Sequence, residues 1–116
     1  IAQGTRRVFA SRDGEIEYKK LIYCESTAYS TGTITATGTT PVYNPGGIST
    51  IAVDPRVIPL GSLVYVENYG KAIAADTGGA IKGNIVDVFL NSKSECISWG
   101  RKYNVPVYIL AYPGEW

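Results

Sequence analysis

The 116-residue chain carries 11 basic and 10 acidic side chains, two cysteines and no histidine, for a formal net charge of +1. This length suits one domain with a core large enough to fold without several disulfides, and the charge balance offers no electrostatic footprint for nucleic acid. Without histidine, Ser-His-Asp and Cys-His catalysis and Cys/His zinc sites are excluded, so carboxylate chemistry with no cofactor and no metal is what an enzyme here would use.

The first segment, roughly 5–29, alternates apolar and polar residues on both sides of Asp13-Gly14, a short-range hairpin signal that predicts two strands. The stretch STGTITATGTTPVYNPGG that follows is rich in Thr, Gly, Asn and Pro and predicts an irregular, binding-capable loop. From Ile48 onward the short runs STIAV, SLVYVE, KAIAAD, NIVDVFL and VPVYILAY are separated by turn residues, a spacing that suggests a mainly β barrel or sandwich. One helix is predicted, from about Lys93 to Lys102, with Ser92 and Glu95 as a capping box, Gly100 weakening its end, and Ile97 and Trp99 packing it onto the barrel. Cys24 lies in a strand-like run and Cys96 in the helix, compatible with two inert buried thiols or with one disulfide. No apolar run approaches the roughly 20 residues of a membrane span, and the first residues do not read as a signal peptide, so Ile1 reads as the start of a mature or trimmed chain.

Asp54, Asp76 and Asp87 stand in three separate apolar runs, IAVDPRVIPLG, AIAADTGGAIKG and NIVDVFL. An ionised carboxylate is costly to bury, and burial raises its pKa until it can serve as a general acid near neutrality. A turn role competes for each aspartate, most strongly for Asp54 because Asp-Pro starts turns. It competes least for Asp87, which Ile85, Val86, Val88, Phe89 and Leu90 surround without a turn residue before Asn91. The acids lack the close alternate spacing of an EF-hand loop.

TAYS at 27–30, AVDPRVIPLGSLVYVE, AADTGGAIKGNIVDVFL and SWGRKYNVPVYIL occur in order, and together they resemble the 3D domain, a family named for three aspartates. Here these are Asp54, Asp76 and Asp87. The resemblance spans roughly Tyr23 to Leu110 and divides the chain into a lead-in hairpin segment, 1–22, and a 3D domain, 23–116. The lead-in VFASRDGEIEYKK is similar to the segment that precedes 3D domains in Gram-positive cell-wall proteins. The family resembles the MltA-type lytic transglycosylases, and stationary-phase survival proteins of Firmicutes belong to the same group. The resemblance implies a six-stranded double-psi β-barrel with one short helix and an N-terminal β-hairpin. It also implies a place outside the cytoplasmic membrane and peptidoglycan glycan strands as the partner.

The activity so implied is cleavage of the bond between N-acetylmuramic acid and N-acetylglucosamine with closure to a 1,6-anhydro product. One acid/base suffices when the nucleophile is the sugar's own hydroxyl. The resemblance places that acid at Asp87, with Asp76 as the second charge and Asp54 orienting the network. Thr77, Gly78 and Gly79 are expected to bring backbone N–H groups near the acids, and Thr27, Tyr29, Thr39 and Lys82 to contact substrate. Tyr29 is equally compatible with a packed strand aromatic, and Lys82 with a solvated turn lysine. The rival reading is a non-catalytic wall-binding module on the same barrel. A remote one takes Asp76-Thr77-Gly78 as the DTG of a dimeric aspartic protease, although only residues 79–116 follow it and they contain no hydrophobic-hydrophobic-Gly run. The chain is expected as a monomer or, through the edges of its hairpin, as a strand-exchanged homodimer.

Overall fold

A computed structural model describes residues 8–11, 14–30, 35–44, 46–78 and 81–116. Asp13 and Gly79, both named above, lie outside these residues, as does the part of the first segment before Val8. Eight strands and one helix follow in the order β1 (Val8–Ser11), β2 (Gly14–Glu17), β3 (Lys20–Tyr29), β4 (Ser49–Val53), β5 (Leu63–Val66), β6 (Gly70–Asp76), β7 (Ile85–Phe89), α1 (Lys93–Trp99) and β8 (Lys102–Ala111).

The first segment forms three strands rather than two. Strands β1 and β2 make an antiparallel hairpin, with Val8 opposite Glu17 and Ser11 opposite Gly14. The alternation is interrupted by Lys19 and Lys20, and the apolar run from Leu21 to Cys24 belongs to β3, which leaves the hairpin and joins the barrel. A strand-like run does not name its partner, so nothing local assigns the stretch after Lys20 to the barrel rather than to the hairpin. The hairpin is held against the barrel by Phe9, stacked on Tyr108 with ring centroids 3.7 Å apart and an 8° interplanar angle, and 5.1 Å from Tyr65.

The other six strands close into a barrel in the order β3-β7-β4-β6-β5-β8. Pairing is mixed. The β3–β7 and β4–β6 neighbours run parallel and the remaining four pairs antiparallel. This is the closed six-stranded architecture expected of a double-psi barrel, and closure removes the sheet edges that an open six-stranded sheet would leave unpaired. Alternate residues fill the interior, among them Cys24, Ile51, Val53, Val64, Val66, Val86, Val88, Val107 and Ile109. Each fully buried Val or Ile contributes about 1.5–3 kcal/mol relative to exposure. Strand β4 is buried on both faces, because the preceding segment lies over its outer side: Val42 and Thr50 exchange two hydrogen bonds of 2.9 and 3.0 Å.

Helix α1 is capped as its sequence predicts. Ser92 Oγ accepts from the Glu95 amide at 3.2 Å and donates to the Glu95 carboxylate at 3.0 Å. It stops at Trp99, earlier than expected, since Gly100 adopts φ 66° and β8 begins at Lys102. Trp99 does pack inward, its indole N–H donating to Ser26 Oγ at 3.2 Å, but Ile97 is 71% exposed and does not join the barrel. Its place is taken by Cys96, one residue earlier, which lies against the core. Both cysteines are free thiols, and burial pushes that of Cys24 up to about 11. No helix among the described residues is long and apolar enough to cross a membrane.

Candidate active site

The barrel register brings two of the three aspartates onto one outward patch. In β7, Val86 and Val88 point into the core, so Asp87 between them points out. Its cross-strand partner on β3 is Thr27, whose hydroxyl donates to Asp87 Oδ1 at 2.9 Å. On the other side of β7 its partner is Ala52 of β4, and Ala52 in turn is registered with Asp76 of β6, across a bulge. Asp87 and Asp76 therefore flank a single alanine, two strand spacings or about 10 Å apart at their Cα atoms. A larger side chain at 52 would fill the space between them.

Asp87 is half-buried, and desolvation raises its pKa above the ordinary carboxylate value. The Thr27 hydrogen bond pulls the other way, and the charge of Asp76 adds to the rise. The apolar flanks Val86 and Val88, which first drew notice to Asp87, are not what desolvates it, because they face the opposite side of the sheet. Asp76 ends β6 with Oδ1 accepting from the amides of Thr77 at 2.9 Å and Ala36 at 3.0 Å. The Ala36 donor was not legible in the sequence, since any residue's backbone can supply an amide and only the loop's path brings this one to Asp76.

That loop is organised by its threonines. Thr35 is buried, and its hydroxyl meets those of Thr37 at 3.1 Å and Thr39 at 2.8 Å. Thr39 also bonds Thr35 through its backbone, so its hydroxyl is engaged in shaping the loop that holds Ala36 against Asp76. Gly78 is half-buried, and a Cβ there would come within 3.0 Å of Ile81 Cγ1.

Tyr29 lies on the same outward side of β3 as Thr27, its ring edge-on to Phe89 at 5.3 Å. Its hydroxyl is buried and makes no hydrogen bond of standard geometry, yet it lies close enough to the Asp76 carboxylate to interact with it. Burial, and then the charges of Asp76 and Asp87, push the phenol well above its ordinary pKa.

Asp54 is placed differently. It is 2% exposed, and its carboxylate accepts from Arg56 N (3.0 Å), Arg56 Nε (3.1 Å), an Arg56 terminal guanidinium nitrogen (2.9 Å) and Gly83 N (2.8 Å). Its carbonyl accepts from Val57 and Ile58. The Arg56 side chain, then the Gly83 and Arg56 amides, hold its carboxyl far below the usual range. Asp54 thus closes the turn after β4 and ties it to the loop before β7, where Lys82 is exposed. No three Asp, Glu or Cys side chains among the described residues converge as a metal-binding group.

Comparison with known families matches residues 49–111, more than half of the chain, to the 3D domain. The chain belongs to the 3D domain family. The matched span contains all three aspartates, whereas Thr27, Tyr29 and Thr39 lie upstream of it. Among curated proteins this 3D domain chain is 54% identical over 91 residues to the cell wall-binding protein YocH of Bacillus subtilis (strain 168), covering 74% of this chain and 31% of YocH. It is 49% identical over 106 residues to YabE of the same organism, provisionally named a cell wall shaping protein, covering 87% of this chain and 26% of YabE. A third relative, the SPbeta prophage-derived uncharacterized protein YorM, is 50% identical over 66 residues, covering 54% of this chain and 27% of YorM. The chain spans about a quarter to a third of the length of these relatives.

Proposed function

We propose that this 3D domain acts on the cell wall outside the membrane, as a lytic transglycosylase of peptidoglycan glycan strands. The observation that carries the reading is a half-buried carboxyl, Asp87, with a raised pKa, a hydroxyl donor at 2.9 Å and a second carboxylate across Ala52. Family membership and the wall-related names of YocH and YabE support the substrate class.

Asp87, in its protonated form, donates to the glycosidic oxygen as the bond from C1 to that oxygen breaks. The resulting carboxylate takes the proton from the muramyl C6 hydroxyl as C6–O bonds to C1, so the acid is restored and no water is consumed. Thr27 orients Asp87, and Asp76, itself fixed by two amides, opposes loss of the Asp87 proton. Asp54 acts as a positioning residue for the turns beneath the site. Tyr29, Thr77, Gly78, Thr39 and Lys82 complete the substrate-binding surface.

The alternative is a wall-binding module without turnover, which the 54% identity to a protein named for wall binding favours. Digestion of purified peptidoglycan, read by mass spectrometry, separates the two. Anhydromuramyl products from the native chain and none from Asp87→Asn are expected. Binding without release of fragments would establish the module, and reducing-end products would establish hydrolysis.

A further inference from the structure

A cavity of about 430 Å³ opens on the outer side of the β5–β6 hairpin, lined by neither Asp76 nor Asp87. Its volume lies within the range of small-molecule sites, roughly 300–1,000 Å³. Tyr43, Ile48, Tyr65, Asn68, Tyr69 and Lys71 form much of its wall. Tyr43, half-buried, stacks on the buried Tyr69 with centroids 5.4 Å apart, and the Tyr69 hydroxyl is held by the carbonyls of Phe89 and Thr50, so Tyr69 fixes the Tyr43 ring that lines the cavity. Lys71, exposed and paired across the strands with Tyr65, is the one charged residue among the described residues of the lining. None of the described residues of the wall is acidic. Lys71 precedes Asp76 by five residues on β6, about 16 Å along the strand.

Tyrosine rings offer flat apolar faces to a pyranose, and an ammonium with no counter-charge in the wall selects an anion. We propose that this cavity is a second binding site, taking a sugar residue that bears a carboxylate, with the ring against Tyr43 and the carboxylate on Lys71 Nζ. The choice of ligand rests on the wall-glycan reading above, because a glycan strand presents carboxylates on lactyl groups or peptide stems. It does not require Asp87 to turn anything over. On a strand engaged at both places, the cavity anchors the polymer beside the carboxylate pair.

Calorimetric titration of the full chain tests this with three soluble probes: a stem-free wall tetrasaccharide with free lactyl carboxylates, a stem-bearing tetrasaccharide, and uncharged chitotetraose. At least one carboxylated probe is expected to bind about tenfold more tightly than chitotetraose, as one charge-assisted hydrogen bond allows. Lys71→Gln, at an exposed position, is expected to remove that preference, and Tyr43→Ala to weaken all three probes. The carboxylated probe that shows the preference identifies the carboxylate's source. Equal binding of charged and uncharged probes, unchanged binding by Lys71→Gln, or no binding at all would overturn the site. If Asp87→Asn and the native chain both fail to release anhydro products while the Lys71-dependent preference persists, the catalytic reading falls and the second site stands. If the native chain cleaves wall and Lys71→Gln binds and cleaves as well as it does, the second site alone falls.

Discussion

Asp54 and Asp87 respond to their surroundings in opposite directions, and pH separates them. Asp54 is held below the ordinary carboxylate value of about 3.9 by Arg56 and the Gly83 amide. The unfolded chain therefore binds more protons just below that value, so Asp54's stabilisation is complete above about pH 4 and drains away as pH falls further. Asp54→Asn is expected to lower the melting temperature at neutral pH and flatten the acid limb of a pH–stability curve; an unaltered acid limb would contradict the assignment. Asp87 is raised by burial, so the folded state holds its proton longer and stability declines as pH climbs from the ordinary value toward the folded one. Asp87→Asn is expected to be no less stable than the native chain at pH 7 while losing turnover, and native turnover should fall as pH rises through the folded pKa. Tyr29→Phe removes a buried hydroxyl that sits beside the Asp76 carboxylate and leaves the contact with Phe89 in place. The variant should stay within about 1 kcal/mol of the native chain's stability, since burial of the hydroxyl and its approach to Asp76 act in opposite directions. It should also bind and cleave glycan less well. Full activity in Tyr29→Phe would mean the hydroxyl contacts no substrate.

At the scale of elements, strand register assembles the site. Ala52 is unremarkable as a residue, yet its pairing with both Asp76 and Asp87 places the two carboxylates on one side of the sheet. A slip of one residue in β7 would turn Asp87 into the core and Val86 and Val88 outward. The strand runs were legible because each is short, β-rich and bounded by turn residues, and STIAV coincides with β4. The hairpin's true extent was not, because the run after Lys19 and Lys20 reads as a strand whether it pairs with the hairpin or with the barrel. Helix α1 was legible at its start, where the cap is a local hydrogen bond, and misread at its end. With seven residues, α1 turns Cys96 and Trp99 inward and leaves Ile97 in solvent. Ser92→Ala is expected to cost about 1 kcal/mol in thermal or denaturant unfolding. Because α1 carries the Trp99 contact to Ser26, the loss should also appear in tryptophan fluorescence. No change in either signal would show that the cap is dispensable.

For the whole molecule, the closed barrel and the hairpin are separable in stability. The hairpin pairs with no barrel strand and is joined to the barrel by the aromatic contacts of Phe9, with Tyr18 edge-on to Tyr108. Aromatic pairs of this kind contribute about 0.5–1.5 kcal/mol each. A chain beginning at Lys19 should therefore still unfold cooperatively, with its melting temperature lowered by on the order of 5–10 °C. Loss of the cooperative transition would show that the hairpin belongs to the folding unit. What the amino-acid order determined by itself was local: apolar periodicity, turn chemistry, the Ser92 cap, the absence of histidine and the three acids in apolar runs, all of which act over a few residues. Tertiary structure alone decided which acids meet. Asp76 and Asp87 come from strands that pair with opposite edges of β4, and the Ala36 amide reaches Asp76 from forty residues away. Asp54 is taken out of the pair by Arg56 and Gly83. Barrel closure sets these distances, and no short-range pattern along the chain encodes them.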